Sequence, residues 1–146
     1  MARKIVRRSD CPISFSLDIF GDKWSLLILR DMMFKGKHTY GEFASSDEKI
    51  ATNILADRLA LLEMAGLLTS SQDKKRKTRI LYSLTQKALA LLPVLIEIIQ
   101  WAAKYDKHTR APAEFVRQIK KDKKKLILEL TRGLKAEYSI HSNSNQ

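Results

Sequence analysis

Residues 49–84 read KIATNILADRLALLEMAGLLTSSQDKKRKTRILYSL. Leucine and isoleucine recur at helical spacing up to Met64, and Gly66 is the residue type that commonly ends a helix. Two short apolar segments follow, which predict a β-hairpin whose tip carries five positive charges in the six residues 74–79. A helix followed by a hairpin of this kind is suited to lie against a polyanion.

Length and charge restrict the class of protein. The chain has 146 residues, enough for one domain that needs no disulfide or metal to fold. Its 27 Lys and Arg residues exceed its 16 Asp and Glu residues, and the net charge of +11 predicts an anionic partner.

The expected compartment is the cytoplasm. One cysteine, Cys11, excludes an internal disulfide framework and fits a reducing environment. No uninterrupted apolar run reaches the roughly 18 residues of a transmembrane helix, and the basic start lacks the apolar segment of a secretory signal. We therefore expect no membrane partner.

Helix signals also precede the quoted stretch. Asp10 and Pro12 predict the start of a first helix that ends at Gly21, and a second helix is expected from Lys23 to Phe34. Thr39 is a candidate cap for a short third helix, with Glu42 three places on as in a capping box. The third helix and the helix after it then form a helix-turn-helix, and the hairpin is its wing. The predicted fold class is mainly α with a small β-hairpin.

The residues after the wing predict a homodimer. Residues 85–105 are expected to form one long helix, kinked by Pro93 and apolar around almost its whole circumference. Such a helix is not half exposed on a small monomer, so a second subunit is expected to cover it.

A last helix is expected from Pro112 to about Lys135, and it contains the lysine run 120–125. Such a run is typical of a solvated helix face, and contact with flanking DNA is the alternative. The predicted organisation is a flexible basic N-terminus (1–9), a winged-helix and dimerisation domain (10–105), a helical extension (106–138) and a flexible tail (139–146).

Several motifs now stand together along the chain. They are Cys11-Pro12, Gly21-Asp22-Lys23-Trp24, Tyr40-Gly41-Glu42-Phe43, Leu59-Ala60-Leu61-Leu62-Glu63 running into Gly66-Leu67-Leu68, and Tyr82-Ser83-Leu84-Thr85. Over roughly residues 10–105 the chain resembles the HxlR family of bacterial winged-helix transcriptional regulators, which are relatives of the MarR-type regulators.

The resemblance implies a DNA-binding homodimer whose interface is made by the first helix and the post-wing helix. It also implies that the helix from Ala51 enters the major groove and that the wing at 74–78 follows the DNA backbone or minor groove. Three features depart from the family pattern: Ala51 stands where Ser is frequent, Ala88 replaces the usual Gly, and the last helix extends beyond the shared core.

The candidate contacts with DNA fall into two sets. In the recognition helix they are Ala51, Thr52, Asn53, Asp57 and Arg58. In the wing they are Lys74, Lys75, Arg76, Lys77, Thr78 and Arg79. Asn and Arg match base edges in the major groove, whereas the wing cations match phosphates. The alternative for each is an exposed residue without a role in binding.

Cys11 is the candidate for signal reception. It stands at a helix N-terminus near two arginines, and both features favour thiolate, whereas Asp10 opposes it. Some members of the resembled family sense oxidants or electrophiles through such a cysteine. The alternative is a small apolar residue beneath the dimer contact.

The candidate dimer interface comprises Ile13, Leu17, Phe20, Leu92, Leu95, Ile99 and Trp101. No His or Cys pair has metal-ligand spacing and the glycines form no phosphate-binding loop, so we expect no metal, no cofactor and no catalysis. The predicted function is sequence-specific regulation of transcription, most simply repression at an inverted-repeat operator, with an unidentified small effector as a further partner. The alternative is a basic protein that coats nucleic acid regardless of sequence.

Overall fold

A computed structural model describes residues 4–140, and its contacts divide the chain into one unit up to Ala88 and a second from Leu89. The described elements are α1 (Pro12–Phe20), α2 (Ser25–Phe34), α3 (Tyr40–Ala44), α4 (Thr52–Met64), β1 (Leu68–Gln72), β2 (Ile80–Leu84), α5 (Gln86–Leu89), α6 (Leu92–Tyr105) and α7 (Ala113–Glu137). The predicted class, mainly α with one β-hairpin, is confirmed. The outer parts of the two expected flexible ends, residues 1–3 and 141–146, lie outside the described residues.

The predicted capping box opens α3. The Thr39 hydroxyl accepts a hydrogen bond from the Glu42 N–H at 3.3 Å, and the Glu42 carboxylate accepts one from the Thr39 N–H at 3.1 Å. Two of the N–H groups that a helix start leaves unpaired are satisfied in this way. The sequence therefore fixes where the first helix of the helix-turn-helix begins.

The inner face of α4 carries the core of the first unit. The helical spacing predicts a buried stripe of Leu59, Leu62 and either Ile54 or Leu55. Leu55, Leu59 and Leu62 are buried, together with Met32 of α2 and Phe43 of α3. Burying each such side chain contributes roughly 1.5–3 kcal/mol. This apolar packing holds the two helices of the helix-turn-helix in place, and it turns the opposite face of α4 to solvent.

A buried polar cluster fixes the turn between α3 and α4. Asp31 of α2 is 2% exposed, and its carboxylate accepts hydrogen bonds from the Ser46 hydroxyl and from Arg30. Arg30 also donates to both carboxylate oxygens of Glu48, with Nη1–Oε1 at 2.5 Å and Nη2–Oε2 at 2.9 Å. The side chains of α2 thus hold the turn that leads into α4.

The wing is an antiparallel pair in which Leu68 lies opposite Leu84 and Gln72 opposite Ile80. Gly66, with φ +79°, adopts the left-handed conformation that reverses the chain after α4. On its other side β2 pairs with the segment before α3, where the Tyr82 N–H donates to the His38 carbonyl at 2.8 Å. The wing is therefore bonded to the start of the helix-turn-helix.

The predicted start of the first helix near Pro12 is confirmed, whereas its Asp10 cap and the start of the second helix are corrected. The N-cap of α1 is Cys11, without a side-chain hydrogen bond, because Asp10 pairs instead with Arg7 at 3.1 Å. The second helix begins at Ser25 rather than Lys23, because the Asp22 carboxylate accepts from the N–H groups of Trp24 and Ser25, both at 2.9 Å.

The expected long helix over 85–105 is instead two helices, α5 and α6, separated at residues 90–91. Pro93 lies in the first turn of α6, where no backbone N–H is needed, so it starts a helix rather than kinking one. Gln86–Tyr105 taken together is long and apolar enough to cross a membrane, with mean hydropathy 1.4 and 28% of that window buried. One such segment is weak evidence for a membrane span.

Candidate nucleic-acid interface

The exposed start of α4 presents the predicted recognition residues. Ala51, Thr52 and Asn53 are all exposed, and Ala51 is the N-cap without a side-chain hydrogen bond. Ala56 and Ala60 are exposed further along α4, spaced three and seven residues from Asn53, which places them on the same face. Sequence reasoning missed these two alanines, although the helical period starting from Asn53 indicates them. Their small side chains permit close approach to a groove and to thymine methyl groups.

The N-terminal end of α4 is suited to an anion. Its first turn contains no acidic residue, and no side chain caps its first N–H groups. Such N–H groups, with the positive end of the helix dipole, bind phosphate. Tyr40 holds this end in place, because its hydroxyl donates to the Thr52 carbonyl at 2.8 Å. Tyr40 is a positioning residue that the sequence pattern did not single out.

Arg58 does not lie on the exposed face of α4, contrary to its predicted placement. Its side chain is only 19% exposed, with Nη1 3.6 Å from the Asp22 carboxylate and Nη2 3.5 Å from that of Asp57. Its Nε is buried without a hydrogen-bond partner. The helical spacing predicted Arg58 on the outer face with Thr52 and Asn53, and the charge of Asp22 draws its side chain inward instead. Asp57 remains partly exposed, with Asn53 one turn earlier.

The wing tip exposes its predicted cations on an ordered turn. Lys74, Lys75, Arg76, Lys77 and Thr78 are all exposed. The turn is held by its backbone, since the Arg79 N–H donates to the Arg76 carbonyl at 2.8 Å, and by the Gln72 amide, which donates to the Lys77 carbonyl at 2.6 Å. An ordered tip loses less conformational entropy when its cations bind phosphates.

Asp73 organises this turn. Its buried carboxylate accepts from the Lys75 N–H at 2.9 Å and from the Arg79 guanidinium at 2.8 and 2.5 Å. The hydrogen bond from Lys75 and then that from Arg79 hold the pKa of Asp73 below its usual range. Arg79 differs from the other wing cations because it is paired within the wing. Arg76 and Arg79 also line an open groove of about 650 Å³, together with Tyr40 and Glu42 of α3.

Cys11 lies exposed at the start of α1. The two arginines expected beside it are both paired with carboxylates: Arg7 with Asp10 at 3.1 Å and Arg8 with Asp18 at 2.6 Å. The thiol is therefore reachable by small molecules, and the neighbouring guanidinium groups are engaged elsewhere.

The candidate dimer residues divide into exposed and buried sets. Ile13 and Leu17 of α1 are exposed, and Trp101 of α6 is 67% exposed, while Phe20 and Ile99 are half-buried. Leu92 and Leu95 are 0% and 6% exposed. These two belong to the core of the protomer, which corrects their assignment to a subunit contact. Because apolar residues occur all around this helix, the sequence alone does not show which face is buried in the protomer and which is exposed.

The outer face of α6 carries a stripe that the prediction largely missed. Val94, Ile98, Trp101 and Tyr105 are all exposed, at successive spacings of four, three and four residues. The Trp101 and Tyr105 rings lie 5.3 Å apart between centroids. These four residues are called the α6 stripe below.

Within residues 4–140, no group of three or more His, Cys, Asp or Glu side chains is arranged to hold a metal ion.

Comparison with known proteins places the chain among transcriptional regulators. The model of the HxlR-like helix-turn-helix family matches residues 19–110. The chain is 33% identical over 95 residues to YdeP of Bacillus subtilis, an uncharacterised HTH-type transcriptional regulator, covering 65% of this chain and 73% of YdeP. The crystal structure of PA1607, a proposed transcription factor, superposes with a TM-score of 0.62 at 38% identity, covering 73% of this chain and 71% of that one.

The reduced form of the transcriptional regulator YodB from B. subtilis is also similar, with a TM-score of 0.54 and 26% identity over 69% of this chain and 99% of YodB. The family match covers the helix-turn-helix and the wing described above. This chain therefore belongs to the HxlR-like helix-turn-helix family of transcriptional regulators, and it carries the DNA-binding domain of that family.

Proposed function

We propose that this protein is a cytoplasmic homodimeric repressor that binds an inverted-repeat operator and blocks access to a promoter. The observation that carries the proposal is the pairing, in one unit, of an exposed uncapped α4 start with an ordered cationic wing tip. In a helix-turn-helix protein the N-terminal residues of the recognition helix contact base edges. Thr52 and Asn53 are exposed at this end of α4, which supports assigning that task to them.

We propose that different residues provide discrimination between base sequences and sequence-independent affinity for DNA. Asn53 pairs with adenine, and Thr52 contacts a thymine methyl or a phosphate. The small side chain of Ala56 allows this close approach. Lys74, Lys75, Arg76 and Lys77 bind phosphates regardless of sequence. Arg58 is proposed to position α4 through Asp22 rather than to contact bases.

The proposed dimer uses the α6 stripe together with the exposed apolar residues of α1. Aromatic side chains such as Trp101 and Tyr105 are enriched at subunit interfaces, and an exposed apolar stripe along a helix favours association. Two recognition helices related by a twofold axis match half-sites separated by about one helical turn of DNA.

We propose that DNA binding is regulated by modification of Cys11 or by a small effector. An exposed single thiol can form a disulfide only with a second subunit or with a small thiol. The similar regulator YodB has a structure in its reduced form, which supports proposing a redox response for Cys11. Treatment with diamide should give a dimer on a non-reducing gel or a mass adduct at Cys11. Neither product, under conditions that oxidise a control thiol, would remove Cys11 from this role.

The second candidate function is a sequence-tolerant coat on nucleic acid, favoured by the net charge of +11. Competition separates the two. Fragments of the genome selected for binding are labelled and challenged with bulk DNA at moderate salt. A regulator keeps its fragment against a large excess of bulk DNA, whereas a coat protein is displaced in proportion to competitor mass.

A further inference from the structure

The lysine run from Lys120 to Lys125 lies in α7, beyond residue 110 where the family match ends. Five of its six residues are lysines. We propose that this run is a second DNA-binding surface, which contacts the phosphates of duplex DNA without regard to base sequence. The proposal rests on the DNA binding proposed above and extends it to a segment outside the winged helix.

Four of the five lysines are available for a partner. Lys120, Lys121, Lys124 and Lys125 are exposed, and in the described part of the chain no carboxylate forms an ion pair with them. Lys123 is the exception, because its Nζ lies 2.5 Å from the Glu97 carboxylate of α6. That pair ties the run to α6 and leaves its neighbours in solvent.

The single acidic residue in the run has a structural task. Asp122 interrupts α7 with φ −156° and ψ 86°, and its carboxylate accepts from the Lys125 N–H at 3.1 Å. This is the geometry of an N-cap, so Asp122 ends one helical segment and begins the next. Residues 123–125 consequently form the first turn of the second segment.

Lysines in that first turn do not stabilise the fold. The positive end of a helix dipole disfavours cations, and adjacent like charges repel one another. A solvated face selected for stability would place carboxylates there and lysines in the last turn. Phosphates bound by the exposed lysines would relieve this repulsion, and counterion release would add to the affinity.

The surroundings of the run favour duplex DNA over other polyanions. A helix that lies on a membrane inserts a bulky apolar face, but Ile119, Leu126 and Leu134 of α7 are buried in the protein. Single-stranded nucleic acid is held by aromatic stacking, and residues 120–125 include no aromatic side chain. Phosphates of the duplex that the winged helix binds are present at high local concentration.

The test compares two variants that lose the same charge. K121Q/K124Q/K125Q removes three exposed lysines of the run, and K104Q/K107Q/R132Q removes three exposed cations elsewhere in the second unit. Glutamine preserves helix propensity. The probe is a labelled duplex of random sequence, about 40 base pairs long. Its binding is titrated by fluorescence anisotropy between 50 and 300 mM salt. Each phosphate contact contributes about 0.9 to the slope of log affinity against log salt.

We expect the run variant to bind about tenfold more weakly than the control variant at 0.1 M salt, with a slope of log affinity against log salt that is flatter by at least about one. Equal slopes for the two variants would overturn the proposal. Loss of binding to phosphatidylglycerol vesicles in the run variant, with unchanged DNA binding, would overturn it in favour of a membrane.

Failure of this inference is distinguishable from failure of the proposed function. If the wild-type protein prefers a selected fragment over random duplex and the run variant behaves like the control, only the second surface is lost. If the wild-type protein shows no preference for any fragment, the proposed function itself is contradicted.

Discussion

Arg58 of α4 and Asp22 before α2 lie side by side, with Nη1 3.6 Å from Oδ1. Asp22 also accepts from the N–H groups of Trp24 and Ser25 and from the Ser25 hydroxyl at 2.6 Å. Burial raises the pKa of Asp22, but the bonds from Ser25 and Trp24 and the charge of Arg58 outweigh it and lower that pKa. One carboxylate thus joins the start of α2 to the middle of the recognition helix.

Replacing Arg58 should reduce stability and leave base discrimination unchanged. Arg58→Ala leaves Asp22 without its cation and should lower the free energy of unfolding by about 1–2 kcal/mol. Urea unfolding measures this loss, and Asn53→Ala, which removes an exposed side chain, serves as the stability control. Operator preference is compared under conditions in which the Arg58→Ala protein is fully folded. If this variant then ranks operator variants in a different order from the wild type, the positioning role is wrong.

Removing wing charge should weaken binding to all duplexes alike. K74Q/K75Q/R76Q/K77Q eliminates up to four phosphate contacts per subunit and should flatten the salt slope by up to roughly 3.6 per subunit, at about 0.9 per phosphate. The matched control is Asp73→Asn, which keeps these four cations but weakens the bonds that order the tip. It should lower affinity without flattening the slope, because no wing cation is removed. A quadruple variant with the wild-type slope would exclude the tip from phosphate binding.

Glu48 should make stability depend on acid pH. The hydrogen bonds from Arg30 lower the pKa of Glu48 from 4.5 to about 2, against a smaller opposing effect of burial. The folded state favours the charged form, so this contribution is fully present above pH 4.5 and is lost as the pH falls toward 2.

Glu48→Gln should therefore be less stable than the wild type at neutral pH, by about 1 kcal/mol or less because solvent screens a pair of which Glu48 is partly exposed. The difference should shrink as the pH is lowered through this window. Urea unfolding at pH 7 and at acid pH measures it, and Glu129→Gln on the exposed side of α7 provides the control. A difference that stays constant with pH would contradict the role of the Arg30 pair.

The α6 stripe should control the oligomeric state. Ile98→Asp places a charge in the middle of the stripe and should convert a dimer to a monomer, because an unpaired carboxylate would be buried on association. Leu128→Asp, at an exposed position on α7, is the matched control. Sedimentation velocity distinguishes the two. An Ile98→Asp protein that remains dimeric would remove the stripe from the interface.

Local chemistry explains which parts of the fold the sequence predicts. Thr39 and Glu42 satisfy N–H groups within three residues, and Gly66 adopts a backbone conformation that few other residues tolerate, so both signals are legible without the tertiary structure. The leucine stripe of α4 is equally direct, since its period matches the helix.

The features that the sequence did not predict depend on contacts between residues that are distant in sequence. Arg58 turns inward because Asp22, 36 positions earlier, supplies its charge partner, and a helical wheel contains no such information. Leu92 and Trp101 look alike by composition, yet the fold buries one and exposes the other. Asp122 could equally occupy a helix interior, and its capping role appears only in the backbone angles.

The central claim is that the start of α4 distinguishes DNA sequences. The most direct test is competition binding with the wild-type protein and Asn53→Ala, using a palindrome protected by the protein upstream of its own gene, its single-base variants and bulk DNA. We expect the wild type to prefer the palindrome by at least about a thousandfold, and Asn53→Ala to lose about 1–3 kcal/mol of discrimination at one base pair in each half-site. Equal competition by palindrome and bulk DNA, or unchanged discrimination in Asn53→Ala, would contradict it.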